Sequence, residues 1–332
     1  MIRRSTRPLI VIGICTRQRN ALLRRLLESI WSQPVPPNYD VAVIIVDNND
    51  SQPVTHDVID LPSKFKLTLV RETKPGMVTA RNRVVDAAVA AGADWFIGVD
   101  DDEYVVSDWL EQFIRGLETL DAPIIVAARN IVYPDTTSPF VERIQQLQEP
   151  AGAETQVLST ANFAMHKRVF DPGHGPGLRF DPALNEAGGV DFELMLRAKH
   201  QHGFLAVNWP HAVAVEHLDG SRAVLSLCLR RRMFDQVRRY QIAKLHREKG
   251  VRGTRWSNAK RIALLSNRYL VFGTAACLHG FAYLLIGRAN SRQVIAGGLS
   301  KLAQAVAVFP YLLGKSVVNY GAKVNADRSA PP

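Results

Sequence analysis

The chain has 332 residues, 47% hydrophobic and 22% charged, which excludes a disordered polymer and allows one large globular domain or two smaller ones. Its three cysteines, Cys15, Cys228 and Cys277, lie far apart, which excludes a disulfide framework or a cysteine-held metal and points to a reducing compartment. The net charge of +10 is uneven: Lys249 to Ala326 holds eleven Lys and Arg and no Asp or Glu, so +10 less 11 leaves −1 for the rest of the chain. A near-neutral body with a basic C-terminal region suits an anionic membrane or nucleic acid.

The opening "MIRRSTRPLIVIGICTR" carries an apolar run too short for a signal-peptide core, so "LIVIGI" (9–14) reads as a first strand. A helical pattern follows, with Leu22, Leu23, Leu26, Leu27 and Ile30 on one face. Strands are expected at 41–46 and 66–70, a helix at Met77–Ala91, and a strand at 94–99. A helix from Ser107 to Leu120, with Ser107 as its N-cap, and a strand at 122–128 complete the series. Solidly apolar strands alternating with helices predict an α/β fold, a Rossmann-like and mostly parallel sheet flanked by helices. Such sheets bind ligands beyond the carboxyl ends of their strands. Residues 130–220 are less regular, with one helix starting near Asp191. From about Ser221 the chain reads as helical and basic, and it contains two apolar segments, Tyr269–Gly287 and Val294–Gly314. The expected division is a catalytic domain over 1–220 and a helical region over 221–332.

Chemistry concentrates at the strand ends. "GVDDDEY" (98–104) sets four acids in a row, and on an extended strand end Asp100 and Asp102 point to one side, Asp101 and Glu103 to the other. Two carboxylates on one side suit a hard divalent cation, Mg²⁺ or Mn²⁺, whose shell is completed by phosphate and water. A solvated acidic turn is the plainer reading. Asp47, at the tip of "VIIVD", can read a nucleoside or simply form an Asx turn. Arg81, in the first turns of the helix after Gly76, can meet phosphate or make a surface salt bridge. Asp191, after two glycines, can be a general base or an N-cap. His217, ending "HAVAVEH", can complete a metal shell or be structural.

Together these residues resemble the inverting family-2 glycosyltransferases of the GT-A fold. The resemblance covers roughly 8–220 and rests on five motifs in order: "CTRQR", Asp47, "GMVTARN", the D-x-D of Asp100 and Asp102, and "GGVD". It implies a nucleotide-sugar donor, a UDP-sugar first among the candidates, held by Thr16, Arg17, Asp47, Arg81, Asp100 and Asp101. It implies Asp102 and His217 at the cation, Asn162 on the acceptor side, and Asp191 as the base. Val190 stands where the family commonly has Glu, so Glu186 and Glu193 remain alternative bases. The Q-x-x-R-W signature of processive synthases is missing after His217, which favours addition of a single sugar.

In the basic region, a spanning hairpin would carry Arg288 and Arg292 to the far side of the membrane, against the positive-inside tendency. An in-plane or re-entrant hairpin at an anionic membrane surface accounts for both hydrophobicity and charge. The expected setting is the cytoplasmic face of the inner or plasma membrane, peripheral or monotopic, with a lipid-linked or saccharide acceptor and no nucleic acid. The alternatives are a soluble helical subdomain, a sugar nucleotidyltransferase, and an inactive nucleotide-sugar-binding protein.

Overall fold

The computed structural model describes residues 7–49, 53–55, 58, 63–145, 149–155, 158–185, 188–251 and 259–313, which fall into two compact units. The first comprises 1–132, 148–185 and 190–217, and the second 133–147, 186–189 and 218–332.

The first unit is built on one eight-stranded sheet: β1 (Leu9–Thr16), β2 (Asp40–Asp47), β3 (Lys66–Arg71), β4 (Trp95–Val99), β5 (Glu103–Val105), β6 (Ile124–Val132), β7 (Asn162–His166) and β8 (Ala206–His217). Their order across the sheet is β3-β2-β1-β4-β7-β6-β8-β5. The β1–β2, β2–β3, β1–β4 and β6–β8 pairs are parallel, whereas β7 and β5 run antiparallel to their neighbours. Between the strands lie α1 (Asn20–Trp31), α2 (Met77–Ala91) and α3 (Trp109–Thr119). The short α4 (Pro139–Gln145) belongs to the second unit, while α5 (Lys167–Phe170) and α6 (Val190–His202) belong to the first.

Alternation along β1 divides the core. Ile10, Ile12 and Ile14 join Leu23, Leu26, Leu27 and Ile30 of α1 and Trp109, Leu110 and Phe113 of α3 in one buried cluster. On the other face, Gly13 of β1 pairs in register with Gly98 of β4. A Cβ on Gly13 would lie 2.3 Å from the Phe96 ring, and one on Gly98 2.3 Å from the Phe163 ring. The two glycines are there because aromatic rings occupy the space that side chains would need.

The third helix begins later than its sequence predicts. Asp108, not Ser107, precedes its first residue, and Asp108 accepts from the Gln112 side chain. The cause is tertiary: residues 103–105 form β5 against β8, and the Val106 N–H donates to Val213 O, so the chain must turn before helix can start.

The second unit is helical: α4, α7 (Leu225–Glu248), α8 (Ala259–Leu285), α9 (Ser291–Ala305) and α10 (Val308–Leu312). Val141, Cys228 and Ala296 form one small core, and Val237, Tyr240, Ile262 and Ala307 another. The helices α8 and α9 approach closely because small residues face them: a Cβ on Gly280 would lie 2.5 Å from Ile295 and one on Gly298 2.5 Å from Cys277. Away from that seam, α8 exposes Leu264, Leu270, Val271, Phe272, Leu278 and Phe281, and the exposed run continues through Leu284, Leu285 and Ile286. Among the described residues one helical stretch, Ser291–Leu312, is long and apolar enough to cross a membrane by length and composition. The expected apolar segment 294–314 and the charges at Arg252, Arg255, Lys315 and Lys323 extend outside the described residues.

Candidate active site

The acid cluster follows β4 directly. The side chains of Asp100 and Asp102 are 38% and 26% exposed, whereas Asp101 and Glu103 are buried, but Asp101 and Asp102 lie in a turn in which Glu103 N–H donates to Asp100 O, not on an extended strand end. Each buried acid has a distinct setting. Asp101 accepts from Thr16 Oγ1 at 2.8 Å and from Arg19 Nη1 at 2.8 Å, which links the acid cluster to the end of β1. Burial pushes its carboxyl upward, with Arg19 opposing.

Glu103 is 1% exposed, and among the described residues neither of its carboxyl oxygens finds a hydrogen bond. It stands in register opposite Glu216 of β8, while Arg129 of β6 reaches Glu216 at 3.3 Å and Glu103 only at 4.0 Å. Burial, reinforced by Asp100, raises the Glu103 carboxyl to about 9, so it is a neutral acid at pH 7.

The helix α1 holds the acidic turn. Arg25 and Ser29, four residues apart on α1, and Gln33, two residues beyond its end, bind successive points of it. Arg25 Nη2 donates to Asp102 O at 2.9 Å, Ser29 Oγ accepts from Val105 N at 3.0 Å, and Gln33 both donates to Val106 O and accepts from Leu110 N. The Arg25 guanidinium also lies over the Tyr104 ring, 5.0 Å from its centroid, and Tyr104 packs on His217 with ring centroids 5.6 Å apart.

Arg81 of α2 joins the acid cluster to α6. Its Nη1 donates to Asp191 Oδ1, and its Nη2 lies 3.4 Å from Asp100 Oδ1. Thr160 Oγ1 donates to the same Asp191 oxygen at 2.5 Å. Because β7 runs antiparallel to β4, the residues just before it lie beside the end of β4, and Asp100 N donates to Ala161 O. Burial raises the Asp100 carboxyl to about 6, opposed by Arg81 and reinforced by Asp102, Asp191 and Asp101. A cleft here is lined by the polar Cys15, Arg81, Asp100 and Thr160 and by the aromatic Phe96, Phe163 and Phe180. Burial drives the Cys15 thiol up to about 12, so it stays protonated.

The other predicted residues take more local roles. Asp47 is buried at the end of β2 and accepts from Asn49 N and Nδ2 and from Val54 N, which makes it the organiser of its own loop. Arg17 is exposed in the turn after β1. The Asn162 amide is committed internally: it accepts from Trp109 Nε1 and donates to Ala128 O and Ala212 O. Of the alternative bases, Glu193 is buried and paired with Arg197 at 2.7 Å, and Glu186 lies outside the described residues. The N-terminus of α2 is partly satisfied, since Val78 N donates to Asn185 Oδ1, and Asn48 fixes the preceding loop through Glu72 O, Lys74 O and Gly76 N.

Sequence reading passed over Arg19, Arg25, Gln33, Asn48, Thr160 and Asn185. Only the four-residue spacing of Arg25 and Ser29 on α1 offers a signal, and it is common to any helix face.

An α/β sheet with acids and a paired Arg beyond its strand ends is an arrangement that can take a nucleotide-type ligand, the acids at hydroxyls or a cation and the Arg at phosphate. Residues 11–174 match the family described as glycosyl transferase family 2. The chain is similar to the mannosyltransferase PcManGT from Pyrobaculum calidifontis, solved in complex with GDP-Man and Mn²⁺, at 16% identity and a TM-score of 0.55, over 94% of this chain and 89% of that one. It is also similar to TarS from S. aureus at 13% identity and a TM-score of 0.50, over 86% of this chain and 54% of that one. No curated protein matches the sequence. The fold is GT-A, residues 11–174 match glycosyl transferase family 2, and the protein is a glycosyltransferase.

Proposed function

We propose that the protein is a metal-dependent, inverting glycosyltransferase that moves one sugar from a nucleotide-sugar donor to a hydroxyl of a lipid-linked or saccharide acceptor in polysaccharide or glycoconjugate biosynthesis. The observation that carries this reading is Arg81, whose two terminal nitrogens meet Asp100 and Asp191. One guanidinium thus ties the acid expected at the donor to the acid expected at the acceptor.

Asp102 offers an open carboxylate at the turn, a hard oxygen donor that fits a divalent cation arriving with a diphosphate. Among the described residues no three His, Cys, Asp or Glu side chains form a metal cluster, so phosphate and water would supply most of the shell. The cation, when bound, neutralises charge on the departing diphosphate. Arg81 and Arg19 add positive charge at the same turn. Asp191 takes the proton of the acceptor hydroxyl as its oxygen attacks the anomeric carbon. The bond to the diphosphate breaks on the opposite face, and one displacement inverts the configuration. Asp101 and Glu103 shape the turn from within, and His217, backed by Tyr104, stands at the end of β8.

The exposed apolar side of α8, in a region devoid of acids from Lys249 to Ala326, supports seating on an anionic membrane surface, taken here as the cytoplasmic face. Such seating would bring lipid-linked acceptors to the enzyme.

A thermal-shift series with GDP and UDP, with and without Mn²⁺, tests the donor reading. Mn²⁺-dependent stabilisation by either nucleotide is expected, and stabilisation by neither would overturn it. Loss of sugar transfer in Asp191→Asn tests the base, whereas pyrophosphate release from a sugar 1-phosphate and NTP would mark a nucleotidyltransferase instead.

A further inference from the structure

The Asp191 carboxylate is held unevenly. Both of its donors, Arg81 Nη1 and Thr160 Oγ1, point at Oδ1, and among the described residues nothing donates to Oδ2. A terminal carboxyl turns over a broad range of angles unless its oxygens are distinguished from one another. Two donors at one oxygen distinguish them. They also come from separately anchored segments. Arg81 lies on α2 and is tied on its other side to Asp100. Thr160 is 3% exposed and precedes β7, next to Ala161, whose carbonyl accepts from Asp100 N. The Asp191 side chain is 27% exposed, so a substrate hydroxyl can approach it.

We propose that Thr160 is a positioning residue for glycosyl transfer: its hydroxyl, acting with Arg81, fixes Oδ1 of Asp191 and so presents Oδ2 to the acceptor hydroxyl. The proton passes from the acceptor oxygen to Oδ2, and the electron pair it leaves forms the new bond to the anomeric carbon. Thr160 loses no proton in this step. The proposal rests on the reading of Asp191 as the base.

Thr160→Val removes the hydroxyl while keeping the shape, and Thr160→Ser keeps the hydroxyl while removing the methyl. A hydrogen bond to a charged group is worth about 1.5–3 kcal/mol, which corresponds to about tenfold to a hundredfold in rate. In Thr160→Val, kcat should fall by about that factor with the donor KM unchanged, and Thr160→Ser should restore most of it. Release of nucleoside diphosphate from GDP-mannose, UDP-glucose or UDP-N-acetylglucosamine, with a membrane lipid extract as acceptor source, provides the rate. A ¹³C-carboxyl spectrum at fixed pH, with Asp191 assigned through Asp191→Asn, requires no substrate. The Asp191 carboxyl resonance should move in Thr160→Val, which has lost a donor to Oδ1, and stay near wild type in Thr160→Ser. An unmoved resonance in Thr160→Val would overturn the positioning contact, and so would a Thr160→Val enzyme with wild-type kcat. If instead Asp191→Asn retained transfer while the resonance moved as expected, the contact would stand and the assignment of the base would fall.

Discussion

Arg25 holds the carbonyl of Asp102 rather than its carboxylate: the guanidinium donates to the backbone oxygen at 2.9 Å and rests on the Tyr104 ring. The arginine therefore orients the open acid without neutralising it. Charge neutralisation at the turn falls to Arg19, which reaches Asp101 and Asp102 together.

This separation of roles predicts that Arg25→Ala will weaken Mn²⁺-dependent GDP or UDP binding by about tenfold or more, the effect of losing one charge-assisted hydrogen bond. Arg25→Lys should recover only part of the loss, since an ammonium does not reproduce the planar contact with Tyr104. Isothermal titration measures the affinity, and an unchanged Kd in Arg25→Ala would show that the turn is held without it.

Glu103 predicts a pH dependence of stability. Its folded-state value, about 9, lies above the reference 4.5, so the folded protein binds the extra proton over that range. The stabilisation is fully present below 4.5 and declines as pH rises towards 9. Asp100, raised to about 6, adds to the decline only in the lower part of that window. Urea unfolding of the nucleotide-free protein between pH 6 and 9 should show stability decreasing with pH. Glu103→Gln should flatten that slope, and an identical slope in the variant would refute the assignment.

The glycine pair at the heart of the sheet predicts a steric penalty. Gly98→Ala would set a methyl against the Phe163 ring, and overpacking of this kind costs about 1–3 kcal/mol. A lower melting temperature is expected, with partial recovery in the Gly98→Ala, Phe163→Leu double variant. A double variant no better than the sum of the single ones would show that Phe163 is not the obstacle.

The membrane reading predicts that the chain floats with phosphatidylglycerol vesicles and much less with phosphatidylcholine, and that salt reduces the difference. Leu278→Glu with Leu285→Glu, both at exposed positions of the second unit, should abolish flotation while far-UV circular dichroism stays unchanged. Equal flotation of this variant would move the contact elsewhere.

Most of the sheet was legible because its strands are buried on both faces and read as unbroken apolar runs, as in "LIVIGI" and "VAVIIV". The four acids do divide into an exposed and a buried pair, but a turn at Asp101 and Asp102 divides them, not the extended chain that the sequence pattern predicts. What escaped depended on distant partners. The start of α3 was misplaced because β5 pairs with β8, more than a hundred residues away in the chain. Asn48, Asn185 and Thr160 look like ordinary polar loop residues, and their importance lies in backbone groups and carboxylates that only the folded chain brings near. Asp47 escaped in the opposite sense. Its local Asx geometry was legible, but not that Val54 N would take its other oxygen.

The stripe of Arg25, Ser29 and Gln33 has a consequence for chimeras. The segment from Asp102 to Leu110 is gauged against α1 and Gln33 just beyond it, as a key is cut against its blank, while β5, the Val106 N–H and the Trp109 ring tie it to the sheet. A swap of the acidic turn from a relative with another donor preference should carry α1 with it. Transplanted alone, the turn would arrive with the right acids and no ruler to set their height.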